Sequence, residues 1–169
     1  GGRYDDISDS GSHFSPRLGL IHQVDDANTL KLLYGEAFRA PSRIETGIKN
    51  NPVLLGNPDL ESEITKTLEA IWIYMTEHQL LSTTLFNTHI NDPIVDQAIL
   101  PNMRINQGRE TITGVEVEYQ HEWQDRWHLR GAITHILNEP VEINSESNTL
   151  LTSSLSYIAN NYTLNLTAR

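Results

Sequence analysis

Seven histidines in a chain of 169 residues raise the question of a metal site. The three nearest one another are His121, His128 and His135. With a turn centred near Asp125, Trp123 faces Trp127, Glu122 faces His128 and His121 faces Leu129. That puts His121 and His128 on opposite sides of a sheet, with His135 on the side of His121 but toward the far end. No pair has the geometry zinc requires, so scattered surface histidines are expected and no metal. Asp5, Asp6 and Asp9 stand with Ser8, Ser10 and Gly11 in what reads as a loop. Such oxygens suit calcium, but the EF-hand spacing and its closing Glu are missing, and a solvated loop is the expectation. No Gly-x-Ser-x-Gly elbow accompanies the serines, and nothing else signals catalysis or a bound cofactor. The segment from Arg39 to Asp59 is different. Arg39, Arg43 and Lys49 there could meet an anionic ligand, the guanidinium groups by directional contacts to its oxygens. Arg39 and Arg43 are the first candidates for ligand binding, followed by Lys49 and by Asn57 in the turn that closes the segment.

The composition narrows the class of protein that must position these groups. There is no Cys, hence no disulfide framework and no thiolate metal or redox site. A formal charge of −10 speaks against a nucleic-acid surface. No apolar run approaches the ~20 residues of a membrane-spanning helix, a test that says nothing about barrels crossing with alternating strands. The start, Gly1-Gly2-Arg3-Tyr4, lacks the basic and apolar regions of a signal peptide.

Alternation with a period of two dominates. From Thr111 to Trp123 the odd positions include Val115, Val117, Tyr119 and Trp123, and the even ones Glu116, Glu118, Gln120 and Glu122. A strand sends these sets to opposite faces. Trp127 to Leu137 repeats the pattern, with Leu129 and Ile133 on one side and Arg130 and Thr134 on the other. Leu151, Leu155 and Tyr157 share a face, as do Tyr162, Leu164 and Leu166. The stretches Phe14 to Val24, Thr29 to Phe38, Thr65 to Thr76 and Leu80 to Val95 read as strands with a rougher pattern. Helical periodicity over three turns is absent. The expected fold is all-β: an antiparallel meander of about eight long strands, part of a large transmembrane β-barrel.

The connections carry the membrane argument. Four are short and polar, near residues 26, 78, 125 and 160. Between them lie three long ones: Arg39 to Asp59, Asp96 to Gly108 and Asn138 to Asn148. Strict alternation collects the tight turns at one end of an up-and-down sheet, as in outer-membrane barrels. Trp123 and Trp127 flank one tight turn and Tyr157 and Tyr162 another, while Trp72 and Tyr74 precede a third. This reads as a belt at the membrane–water boundary.

A series of short boxes adds a resemblance. Tyr34-Gly35-Glu36-Ala37-Phe38-Arg39-Ala40-Pro41 is followed by Gly56-Asn57-Pro58-Asp59-Leu60 and Glu61-Ser62-Glu63. Phe86-Asn87, Asn91-Asp92-Pro93-Ile94-Val95 and Gly114-Val115-Glu116 come later. In this order and spacing the chain resembles the barrel of a TonB-dependent outer-membrane receptor over nearly its whole length. The resemblance implies a ligand-specific active transporter in the bacterial outer membrane, energised through TonB. Its cargo would be a ferric siderophore or similar metal chelate, and its other partner the membrane lipid. Haem is less expected, because no His stands between the two boxes, from Ser42 to Gly56. Pro41 ends a strand, Gly56-Asn57-Pro58 punctuates a turn, and Gly114 leaves room for another body to pack against the polar side. Arg17, Lys31, Glu69, Glu116, Glu118 and Arg130 share that side.

The family's receptors are plugged barrels of 22 strands. Here no plug, no TonB-engaging motif and no terminal aromatic residue is read, so the expectation is an internal barrel segment. It would reach TonB through an N-terminal part outside these residues. The alternatives are a passive outer-membrane barrel, such as a porin or adhesin platform, and a soluble β-sheet binding domain. The first leaves the boxes unexplained, the second the segregation of loop lengths.

Overall fold

The computed structural model describes residues 1–7, 11–97, 100–138 and 147–169, and the findings below concern those residues. Nine strands form one sheet in the order β1 (Gly2–Ile7), β2 (Gly11–Gln23), β3 (Asn28–Arg39), β5 (Glu63–Met75), β6 (Gln79–Asn91), β9 (Arg109–Trp123), β10 (Trp127–Ile136), β11 (Thr149–Ile158) and β12 (Thr163–Ala168). A second sheet has the order β4 (Leu54–Leu55), β8 (Asn102–Asn106), β7 (Ile94–Gln97). One short helix, α1, covers Arg43–Gly47. The main sheet is the meander expected from the alternation, with one strand more than the eight read from sequence. That strand is β1, which pairs antiparallel with β2 from Gly2↔Pro16 to Ile7↔Gly11.

Three further details differ from the sequence reading. The run Leu80 to Val95 is two strands, broken where Asp92 takes a positive φ of 54° before Pro93. The long connections 40–62 and 92–108 carry structure of their own, namely α1, β4, β7 and β8. And β4 pairs parallel with β8 (Leu54↔Asn102, Leu55↔Met103), an exception to neighbour-with-neighbour pairing. The third long connection lies largely outside the described residues.

The chain divides into two compact units. One gathers Gly1–Leu18, Tyr34–Thr67 and Thr88–Thr111; the other gathers Gly19–Leu33, Leu68–Asn87 and Ile112–Arg169. All four tight turns belong to the second. They are closed by Val24 N–H to Asn28 O (2.9 Å), Thr76 N–H to Gln79 O (2.8 Å), Arg126 N–H to Trp123 O (3.3 Å) and Ala159 N–H to Tyr162 O (2.9 Å). In the third, Gln124 and Asp125 both have positive φ, 54° and 51°. That hand matches the twist of the flanking strands. In the first, the Asp25 carboxylate takes the N–H groups of Ala27 (2.9 Å) and Asn28 (2.8 Å), the local bonding for which Asp is favoured in turns.

The register settles the faces at the C-terminal end. Tyr119 pairs with Gly131, Val117 with Ile133 and Trp123 with Trp127. Leu129 pairs with Leu155, which pairs in turn with Leu166, and Tyr157 pairs with Leu164. Since side chains alternate, Val115, Val117, Tyr119, Leu129, Ile133, Leu155, Leu164 and Leu166 share one face. Glu116, Glu118, Arg130, Thr163 and Asn165 share the other. Rings continue along the apolar face beside the turns: Trp123 stacks on Trp127 at 5.8 Å, Trp127 meets Tyr157 at 4.6 Å and Tyr157 meets Tyr162 at 6.5 Å.

Leu60 is the one buried large apolar side chain among the described residues, whereas Leu18, Leu20, Leu164 and Leu166 are each more than 60% exposed. Water-soluble domains of this length bury a core. This chain instead leaves its large apolar side chains exposed.

Gly114 corrects one expectation. A Cβ there would run into the Phe86 ring and lie 2.7 Å from the carbonyl oxygen of His135. The space read as room for a separate body is filled by the neighbouring strand's own Phe86.

Candidate functional site

The segment between the two boxes is built around Glu45. Ser42 is the N-cap of α1, with extended backbone (φ −76°, ψ 159°) following Pro41. Its Oγ accepts the Glu45 N–H (3.3 Å), and Glu45 Oε2 accepts the Ser42 N–H (2.6 Å). This reciprocal capping box satisfies two backbone donors that a helix start leaves open. The pattern Ser42-x-x-Glu45 was available in the sequence as a helix-start signal.

The same carboxylate joins distant parts of the chain. Its Oε1 accepts from Arg39 Nη1 at 3.2 Å and, in a short contact, from Arg104 Nη1. Arg104 Nε also donates to Asp96 Oδ1 at 2.9 Å, and Arg39 Nη2 lies 3.6 Å from Glu63 Oε2. Glu45 is only 8% exposed. Desolvation pushes its pKa up, but donors from Ser42, Arg104 and Arg39 outweigh that and bring it down to about 2. It is therefore a fixed anion across the physiological range.

Backbone contacts extend the junction. Asn57 donates its N–H to Glu45 O (2.8 Å) and its Nδ2 to Arg104 O (2.9 Å), while its Oδ1 accepts from Asp59 N–H (3.0 Å). Asn102 N–H donates to Val53 O at 2.7 Å. Asn106 and Glu61 exchange two bonds, of 2.8 and 3.0 Å. A Cβ on Gly56 would sit 2.6–2.7 Å from backbone atoms of residues 46–48, so only glycine fits against α1 there. The Phe-Arg-Ala-Pro and Gly-Asn-Pro-Asp-Leu boxes thus meet on the same five-residue helix. Loop 40–62 and the hairpin β7–β8 are fastened together by side chains, by backbone and by the parallel bridge.

The four candidate ligand residues divide accordingly. Arg39 and Asn57 are engaged in the junction. Arg43 and Lys49 are exposed and make no hydrogen bond or ion pair among the described residues. A cavity of about 330 Å³ is lined by Ser42, Ile44, Glu45, Leu54, Leu55, Asp96, Asn102 and Arg104, and by none of the four.

Other sequence candidates fall as follows. Asp5 and Asp6 lie in β1, opposite His13 and Ser12, not in a loop, and Asp5 pairs with Arg3 at 2.7 Å; Ser8, Asp9 and Ser10 lie outside the described residues. His128 pairs with Glu122 at 2.9 Å. His121 stacks between Tyr119 and Trp123 on the other face. No group of three metal-ligating side chains forms among the described residues. A cluster the sequence did not suggest surrounds Glu36, whose carboxylate lies 2.7 Å from His13 Nε2, 3.1 Å from the Tyr34 hydroxyl and 3.7 Å from Lys66 Nζ. The His13 ring also stacks on Phe38 at 4.8 Å. Only strand pairing brings residues this far apart in sequence together.

An exposed apolar face, aromatic rings flanking two of the tight turns and structured long connections fit the wall of an outer-membrane barrel. Comparison with known proteins agrees. The family model described as TonB dependent receptor-like, beta-barrel matches residues 1–169, and the chain belongs to that family. The family is one of receptors rather than enzymes, and it places the chain in the bacterial outer membrane. The chain is 33% identical over 109 residues to an iron-regulated outer membrane virulence protein of Vibrio cholerae serotype O1, a stretch covering 61% of this chain and 17% of that protein. Its fold matches the siderophore receptor PirA from Pseudomonas aeruginosa with a TM-score of 0.82 at 24% identity, over 98% of this chain and 32% of that one. It also matches a variant of the ferric enterobactin receptor PfeA from the same organism, in complex with enterobactin. There the TM-score is 0.78 at 18% identity, over 98% of this chain and 29% of that one. At these identities the structures speak for the fold.

Proposed function

We propose that this chain is part of the wall and mouth of a receptor that binds a ferric siderophore or similar chelate and imports it with energy delivered through TonB. The nine strands would belong to a larger closed barrel, since among the described residues β1 and β12 each have an edge without a partner strand. The partner that energises transport would be met through parts of the receptor other than these strands. The iron-linked names of the relatives support the cargo class.

The observation that carries the reading is the division of labour in loop 40–62. Glu45 bridges Arg39 and Arg104, whose charges Glu63 and Asp96 also offset, and so ties the loop to β8. Arg43 and Lys49 are left as exposed cations on a structured support. Binding residues are disproportionately carried on loops positioned by a rigid scaffold, and rigid display of charge lowers the ordering cost of binding. In this reading Arg43 and Lys49 contact the anionic chelate, while Arg39 and Asn57 keep the display in place. The test is chelate binding and uptake by the full receptor in outer membranes, at equal amounts of inserted protein. Arg43→Ala with Lys49→Ala should weaken binding about thirtyfold or more while leaving insertion unchanged, each lost charge-assisted contact costing ~1 kcal/mol or more. Unchanged affinity in the double variant removes these residues from the site and leaves the loop a connector.

A further inference from the structure

We propose that the apolar face carries a seat for one glycerophospholipid where β2, β3, β5 and β6 run side by side. Leu20, Leu30, Leu32, Trp72 and Leu85 wall a groove of about 520 Å³ there, and Ala70, the smallest side chain among them, leaves the space between. The five large side chains are between 40% and 66% exposed, so nothing described in the chain covers the groove. Its volume suits a single acyl chain. His22 lines the groove at the tight-turn end, two residues before the Val24–Asn28 closure. Its imidazole is exposed and makes no hydrogen bond among the described residues. At the same end Trp72 donates its indole N–H to Asn28 Oδ1 at 3.0 Å, which fixes the ring as one wall. Thr83 adds a hydroxyl to the lining, and Lys31 and Ile71 border the groove from positions that alternate with Leu30 and Leu32 and with Ala70 and Trp72, so their side chains belong to the opposite face. A mainly apolar trough with the His22 imidazole at its turn end matches a lipid whose chain lies over Ala70 and whose phosphate meets His22. The groove is continuous with the apolar band that family membership places in the membrane, which favours lipid over a second protein copy as occupant.

The seat rests on the apolar face being the one turned to lipid, and two measurements separate the two ideas. First, the full receptor, stripped of lipid in detergent, is titrated with dipalmitoyl phosphatidylethanolamine and examined by native mass spectrometry. One lipid should be retained in preference to others. Ala70→Phe, which fills the trough, should lower its retention about tenfold, several buried methylene contacts being lost. His22→Ala should abolish the preference for the phospholipid over dipalmitoylglycerol. Retention unchanged in Ala70→Phe, equal retention of the diacylglycerol by the unaltered receptor, or a receptor dimer lost in Ala70→Phe would each overturn the proposal. Second, in bilayers with brominated acyl chains, the part of the fluorescence that disappears in Trp72→Phe should be quenched. Quenching without a retained lipid overturns the seat alone. No quenching at any lipid content overturns both the seat and the lipid-facing assignment.

Discussion

Glu45 and Arg104 stand 59 positions apart, yet their side chains form an ion pair at the loop end, with Glu45 almost wholly shielded from water. This pair joins the short helix α1 to the hairpin β7–β8. A double-mutant cycle with Glu45→Gln and Arg104→Gln should give a coupling of about 1–2 kcal/mol, less than a fully buried pair because Arg104 is partly exposed. The readout is native-state exchange protection of the Gly56 and Asn57 amides, which bond to Ile48 O and Glu45 O. Additive single effects would show that the pair does not couple the two segments.

The same carboxylate sets a pH window. Its folded-state pKa is held near 2, below the ordinary 4.5, so its contribution is fully present above about 4.5 and is lost as pH falls through about 2. A spin label on Lys49→Cys, in a chain with no other Cys, should stay ordered from neutral pH to about 4.5 and become mobile as pH approaches 2. With Glu45→Gln added, the label should be mobile already at neutral pH. An ordered label in that background would assign the loop's rigidity to other contacts.

Gly114 is fixed by packing against β6. Gly114→Ala should destabilise the barrel by about 1–3 kcal/mol, the usual range for overpacking. Adding Phe86→Leu should restore only part, because the His135 carbonyl still lies 2.7 Å from the new Cβ. Reversible unfolding in lipid or detergent measures both. A neutral single variant contradicts the close approach.

Depth along the apolar face can be read from β10. Ile133 is flanked by Val117 and Leu151 in register and lies six residues from Trp127, roughly 20 Å along the strand. Ile133→Arg should therefore cost about 2–4 kcal/mol, as at the bilayer midplane, whereas Leu129→Arg, next to the aromatic row, should cost about 1 kcal/mol. Equal costs, or none at either site, would argue that this face does not meet lipid.

Much of the wall is legible in the residues themselves, because a strand's side chains alternate whatever the strand pairs with. The split between Val117 and Glu118, the facing of Trp123 and Trp127 and the tight turn between them follow from a period of two and a short polar break. The nearest partners in an up-and-down sheet are sequence neighbours, so local pattern is enough. Strand β1 escapes such a reading because Arg3, Asp5 and Asp6 lack an apolar alternation; its place comes from hydrogen bonding to β2. Helix α1 escapes it because five residues give no periodicity, although its capping box is written in Ser42 and Glu45.

What tertiary structure alone decided is who meets whom across the long connections. In sequence Arg39, Arg43, Lys49 and Asn57 are all ligand candidates of one loop, the two arginines first. Folding commits Arg39 to Glu45 and Glu63, and Asn57 to the backbone of Arg104, and leaves Arg43 and Lys49 exposed. That sorting depends on Glu45 meeting a guanidinium 59 positions away, and ion pairs leave no periodic trace in a sequence. The residues determine the sheet through short-range sterics and alternation; only closure of the chain on itself determines which charges enter ion pairs and which stay exposed.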